Sequence, residues 1–173
     1  IQENDGRVSH YVSVFRNITE AHEKEARIRY LAFHDALTGL HNRLLFEERL
    51  AHAINRSRRE RAPLAVLIID LDGFKTINDA YGHGVGDIAL AAFARHLTAN
   101  MRKGDKAIRW GGEEFIVLYK KLGDEASMRQ TVARLLASQL QMEELSAPIT
   151  FSAGIIRIRD YLTVAEATDL ADT

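Results

Sequence analysis

The sequence predicts an α+β domain: a central, mainly antiparallel sheet with helices packed on it, preceded by a strand and a connecting helix. Three observations carry that expectation. Leu64–Ile69 is an unbroken apolar run of strand length, the pattern of a strand buried on both faces. Ala107–Trp110 and Phe115–Tyr119 are two β-rich runs joined by Gly111-Gly112-Glu113-Glu114, and a hairpin makes its strands antiparallel. Strands and helices alternate without the glycine fingerprint of a dinucleotide-binding unit, so nothing asks for a purely parallel sheet.

The elements follow in order. Asp5-Gly6 is a turn signal, and Val8 to Ile18 reads as one strand, which needs a sheet to pair with. Residues 1–17 are therefore expected to be the last strand of an upstream domain. Thr19–Phe33 is a helix, with Thr19 as cap and Glu20, Glu23 and Glu25 near its start. Ala26, Ile28, Leu31 and Ala32 give it a thin apolar stripe, too short to decide between a connector and a dimer coil. Residues 35–43 form a turn. A second helix runs from Arg43 to about Arg61, with Leu44, Leu45, Phe46, Leu50, Ala53 and Ile54 inward and Pro63 ending it. After the Leu64–Ile69 strand, Asn78–Asp87 reads as a glycine-rich loop entering a helix over Asp87–Met101. The hairpin comes next, then a helix over Glu125–Gln141, a strand over Ile149–Ile158 behind Pro148, and the start of a helix at Thr163–Asp172.

Composition narrows the functions. Lys and Arg number 23 against 24 Asp and Glu, a net charge of −1, which argues against a nucleic-acid binder. The absence of Cys removes disulfides, thiolate metal sites and thiol nucleophiles. No apolar run approaches the roughly 18 residues a membrane span needs, and the polar start at Ile1-Gln2-Glu3-Asn4 is not a signal peptide. No direct membrane contact is expected. The chain opens on Ile1 rather than Met, so it reads as a piece of a longer protein.

Three clusters bear chemistry. Asp70 and Asp72 stand where the apolar strand ends, and an ionised carboxylate there calls for a partner such as Mg²⁺; the ordinary alternative is a helix cap. Glu113 and Glu114 sit at a glycine turn that lets backbone approach a ligand, or forms a plain solvated hairpin tip. In the loop, an Asn78 amide and an Asp87 carboxylate together match a guanine edge, though each also suits a turn or a cap. Lys75 is placed to meet a phosphate as a point charge.

Together these residues resemble one family. Asp35-Ala36-Leu37-Thr38-Gly39-Leu40-His41-Asn42-Arg43 is similar to the DxLTGLxNR opening of GGDEF domains, the diguanylate cyclases. Asp70-Leu71-Asp72-Gly73-Phe74-Lys75-Thr76-Ile77-Asn78-Asp79 resembles DxDxFKxxND, and Tyr81-Gly82-His83 through Gly86-Asp87 resembles GHxxGD. Gly111-Gly112-Glu113-Glu114-Phe115 is the GGEEF form of the name-giving motif, and Phe151-Ser152-Ala153-Gly154-Ile155 resembles a late core strand. Several independent motifs in order, from Asp35 to the end, make the match specific. Asp5–Glu20 resembles the closing strand and exit of a PAS sensor domain. The domains implied are 1–17 (end of a PAS-like domain), 18–34 (signalling helix) and 35–173 (GGDEF domain).

The resemblance implies a fold like the palm of nucleotidyl cyclases and polymerases, in a cytoplasmic catalytic domain. It implies condensation of two GTP into cyclic di-GMP and two pyrophosphates across a homodimer. Asp70, the Leu71 carbonyl and Glu113 would hold Mg²⁺ or Mn²⁺. Glu113 or Glu114 would assist deprotonation of the 3′-hydroxyl. Gly73, Phe74 and Lys75 would contact phosphates, with Lys75 opposing transition-state charge. Asn78 and Asp87 would bind guanine, and His83 would line the pocket. Arg102-Lys103-Gly104-Asp105 fits the family's RxxD product-inhibition site for cyclic di-GMP, with Arg109 joining it. The family's later helix, with Lys and Arg for the terminal phosphates, is cut short after Ala171-Asp172-Thr173. The alternative is a silent module that senses cyclic di-GMP through Arg102 and Asp105; intact Glu113 and Glu114 favour the cyclase.

Overall fold

The protein is described by a computed structural model at residues 19–120, 124–138 and 140–158. The expected strand over residues 8–18 and helix over 163–172 lie outside them. The chain divides into two compact units, residues 1–30 and 31–173. Helix α1 (Thr19–Phe33) crosses from the first unit into the start of the second; Glu20 lies in its first turn as expected, and Thr19, expected as its cap, is its first helical residue. Lys24–Glu20 and Arg29–Glu25 pair one turn apart on its surface, where water screens them. Ile28 is 70% exposed and Leu31 40%, so the stripe is uncovered in a single chain.

In the second unit, α2 (Arg43–Glu60) starts at Asn42, whose side chain accepts from the Leu45 N–H at 3.1 Å. Leu45, Phe46, Leu50, Ala53 and Ile54 are buried as expected, but Leu44 faces out. Strand β1 (Leu64–Leu71) follows, then α3 (Phe74–Tyr81) and α4 (His83–Ala99). Strands β2 (Lys106–Gly111) and β3 (Glu114–Lys120) form the hairpin, and α5 (Glu125–Ala137) leads to β4 (Phe151–Ile158). Residues Ile149 and Leu140 form only an isolated bridge, so α5 and β4 are both shorter than their sequence patterns suggest.

The sheet order is β2-β3-β1-β4 and all pairings are antiparallel. β1 lies inside it. Alternate β1 residues feed two cores. Ala65, Leu67, Ile69 and Leu71 face α4 and α5, packing with Phe93, Leu97 and Met128. Leu64 and Val66 face α2, packing with Phe46, Leu50 and Ile54. Phe93 sits edge-on to both Phe115 (5.0 Å) and Phe151 (5.2 Å), an arrangement aromatic quadrupoles favour.

The expected loop over Asn78–Asp87 is instead two helices meeting at Gly82. Its φ of 86° turns the chain between α3 and α4, a conformation glycine reaches without a Cβ clash. The glycines that suggested a loop serve helix packing. A Cβ on Gly86 would overlap Asn78 Oδ1 and press on Phe74, whereas one on Gly84 would meet open space.

This sets a prediction. Gly86→Ala should lower stability by about 1–3 kcal/mol, as overpacking does, while Gly84→Ala should leave it unchanged or raise it by up to about 1 kcal/mol. Urea denaturation of both variants checks it; equal midpoints would remove the packing role of Gly86.

Candidate active site

The pairing of β1 with β3 assembles the first part of the site. Asp70 stands opposite Glu114 on one side and opposite Ser152 of β4 on the other. The Leu71 N–H donates to the Glu113 carbonyl at 3.4 Å, so the Gly111–Glu114 turn is tied to the end of β1. Gly112, at φ 49°, makes that turn. Asp70 is exposed, because here the buried strand emerges into solvent. Burial therefore does not force a counter-cation on it, contrary to the argument from its apolar neighbours. The β1–β3 register sets Asp70 opposite Glu114, and carboxylates are hard oxygen donors of the kind Mg²⁺ takes alongside phosphate and water. Among the described residues no group of three or more His, Asp or Glu gathers at one point.

Immediately after β1 the chain turns into α3 through Gly73, at φ 66°. No side chain caps this helix, and its first intrahelical bond runs from the Ile77 N–H to the Gly73 carbonyl. The N–H groups ahead of it carry the positive end of the helix dipole at the β1 terminus, a setting suited to an anion. Lys75, exposed in that first turn, adds a full charge. The Phe74 side chain is 8% exposed and belongs to the core, leaving its backbone for any ligand contact.

The entrance to α3 is braced from β4. Ser152 Oγ donates to Asp72 Oδ1 at 2.7 Å, and the Asp72 N–H donates to the Thr150 carbonyl at 3.0 Å. The sequence offers Asp72 as a carboxylate for a cation or as a helix cap; here its side chain caps no helix and accepts from Ser152 of β4 instead. Asn78 sits on α3 and is held at the Gly86 crossing; Asp87 is exposed on α4 one residue beyond, and His83 is exposed at the first position of α4.

A second cleft lies around the α4–β2 turn. The Asp105 N–H donates to the Arg102 carbonyl at 3.0 Å, closing the tight turn that joins the two residues. Asp105 is 8% exposed and its Oδ1 accepts from the Lys120 N–H at 3.2 Å. Burial pushes its carboxyl above the usual range, against the bonds and cations that pull it down. Tyr119 beside it is pushed up to about 12, first by burial and then by the Asp105 charge. Arg134 of α5 lines this cleft with Arg102 and Asp105. Sequence reasoning missed Arg134, whose only signal is an exposed cation on a helix that packs beside the turn.

Arg109 was grouped with Arg102 and Asp105, and the structure gives its guanidinium other partners. Nη1 contacts both Asp35 oxygens, at 3.1 and 3.2 Å, while Nε and Nη2 donate to the Gly112 carbonyl at 3.1 and 2.8 Å. It clamps the residue 35–43 turn to the Gly111–Glu114 turn. Burial alone would raise the Asp35 carboxyl; hydrogen bonds from Thr38 and Arg109 outweigh it and hold the group below the usual value.

The diguanylate cyclase GGDEF domain family matches residues 32–173. The chain is 39% identical over 132 residues to the diguanylate cyclase TpbB of Pseudomonas aeruginosa, covering 76% of this chain and 29% of that protein. It is 36% identical over 151 residues to the diguanylate cyclase DgcM of Escherichia coli K12, covering 82% and 36%. A sensory box/GGDEF family protein from Caulobacter crescentus superimposes with a TM-score of 0.71 at 36% identity, covering 81% of this chain and 93% of that one. The chain thus spans about a third of the length of these two curated relatives. No described helix is long and apolar enough to cross a membrane. The match runs through each element from which the site is built, and the chain belongs to the diguanylate cyclase GGDEF family.

Proposed function

We propose that this chain contributes one half-site of a diguanylate cyclase, binding one GTP and condensing it with a GTP held by a second copy. The observation that carries the reading is the β1–β3 register, which sets Asp70 opposite Glu114 beside the uncapped start of α3. A triphosphate laid on that helix start meets backbone N–H groups and Lys75. Asn78, packed against Gly86, and Asp87, the residue after Gly86, would address the guanine edge, and His83 stands at the α3–α4 junction. The 3′-oxygen of one GTP forms a bond to the α-phosphorus of the other, and the bond to pyrophosphate breaks. Glu113 or Glu114 receives the proton from the 3′-hydroxyl. Repeating the step with the roles exchanged closes the ring, giving cyclic di-GMP and two pyrophosphates.

Asp70, the Leu71 carbonyl and Glu113 fit a divalent cation, Mg²⁺ or Mn²⁺, which would offset phosphate charge as the bonds exchange. Most of the remaining work is positioning and electrostatics, the usual physics of phosphoryl transfer. Arg102, Asp105 and Arg134 form the regulatory cleft for the product, with forked guanidinium groups suited to phosphate or to a guanine face. The intact glutamates favour the cyclase over a silent sensor, because only the cyclase uses them.

Two predictions follow from these assignments. With GTP and Mg²⁺, mass spectrometry should detect cyclic di-GMP, and Glu113→Gln or Asp70→Asn should slow its formation by about 10²-fold or more. Product formed at the parental rate by either variant overturns the half-site. Arg102→Ala or Arg134→Ala should weaken cyclic di-GMP binding by roughly tenfold or more, the loss of one charged hydrogen bond. Unchanged affinity in a calorimetric titration removes the residue from the regulatory cleft.

A further inference from the structure

The residue 35–43 turn brings two histidine rings together. His41 Nδ1 lies 3.2 Å from His34 Nε2, and the rings cross at 4.8 Å in an edge-on arrangement. Their backbones form an antiparallel bridge, and the His41 carbonyl accepts from the Arg109 N–H at 2.9 Å. The His41 ring is thus fixed against β2. It also lines a cleft of about 300 Å³ with Arg102, Lys103, Asp105 and Lys106, a space that shares Arg102 and Asp105 with the smaller cleft that Arg134 lines. Three cations and one carboxylate face that space, so it favours an anion.

Charged groups approach His41 from each packed element. His34 faces it across the turn, Arg49 lies on α2, and Lys106 lies on β2. Arg102, Lys103 and Asp105 come from the α4–β2 turn. Asp35 and Arg109 form their own ion pair on the adjoining side of the same turn. Burial first, then His34, Lys106 and Arg49, hold the His41 imidazole below the usual histidine value. These push His41 toward its neutral form, in which one ring of the pair donates an N–H to the bare nitrogen of the other. One further proton leaves that bond intact, since an imidazolium still donates to a neutral partner. A second would set N–H against N–H. The pair is a store for a single proton.

We propose that the His41–His34 pair is a proton-coupled anion subsite of the Arg102–Asp105 cleft: a phosphodiester dinucleotide bound there draws one proton onto the pair, so binding tightens as pH falls. This rests on the reading of the Arg102–Asp105 cleft as the cyclic di-GMP site. The sign follows from linkage. The ligand's negative charge offsets Lys106 and Arg49 and raises the His41 pKa in the complex. Below the free-state pKa the proton is already present, and above the bound-state pKa it is absent from both states. Between the two, affinity rises as pH falls, by at most about tenfold per pH unit.

The test is calorimetric titration with cyclic di-GMP near pH 6.5, in two buffers of different ionisation enthalpy, which counts protons taken up. The parent chain should take up a measurable fraction of one proton, and its affinity should rise several-fold between about pH 8 and pH 6. In His41→Gln the uptake should vanish and affinity should no longer change with pH; His34→Gln, which removes the ring partner instead, should lessen the uptake and serves if the first variant does not fold. Uptake unchanged in a folded variant at position 41, with binding still lost in Arg102→Ala, overturns the proton coupling alone. Absence of binding in the parent, or binding unaffected by Arg102→Ala, overturns the cleft assignment and the coupling with it.

Discussion

Seven antiparallel pairs, from Leu64 with Lys120 to Asp70 with Glu114, lock β1 to β3. A slip of one residue would turn every β1 side chain to the opposite face. Leu67 and Ile69 would leave one core, Val66 would leave the other, and Asp70 would face the wrong way. Two buried layers therefore hold the register that sets the strand-end carboxylate beside the hairpin turn. Stability and site geometry rest on the same constraint.

Around that pairing, the turns are braced by side chains distant in sequence. Arg109 joins Asp35 to the Gly112 carbonyl, and Ser152 holds Asp72 at the mouth of α3. Both braces are partly shielded or charge-assisted, the class of hydrogen bond worth most. The surface pairs on α1, Lys24–Glu20 and Arg29–Glu25, are solvated and contribute far less.

Short-range pattern was enough to read most of the architecture. The apolar run at Leu64–Ile69, the Gly-Gly hairpin, and the periodicities of α1 and α2 are local signals, and each element forms where its signal lies. The motifs of the candidate site were equally legible as strings. What pattern could not show is long-range. Gly84 and Gly86 look like loop residues until α3 packs on α4 and Gly86 proves to be the contact against Asn78. Arg109 has Arg102 as a near neighbour in sequence, yet its partners are Asp35 and Gly112. Arg134 reaches the cleft only because α5 lies beside the α4–β2 turn. The exposure of Asp70 depends on where the sheet stops, which its apolar neighbours conceal.

The contact between residue 41 and β2 also bears on how the edge of the sheet meets other extended chains. β2 is an outer strand, and an outer strand offers unpaired N–H and C=O groups to any other extended chain. His41 forms a parallel bridge to Ile108, and its carbonyl takes the Arg109 N–H, so part of that margin is already in use. The turn is too short to continue the sheet, and the Asp35–Arg109 ion pair anchors it beside β2. It acts as a stop against strand addition, and losing it would uncover a template for aggregation at the edge nearest the hairpin.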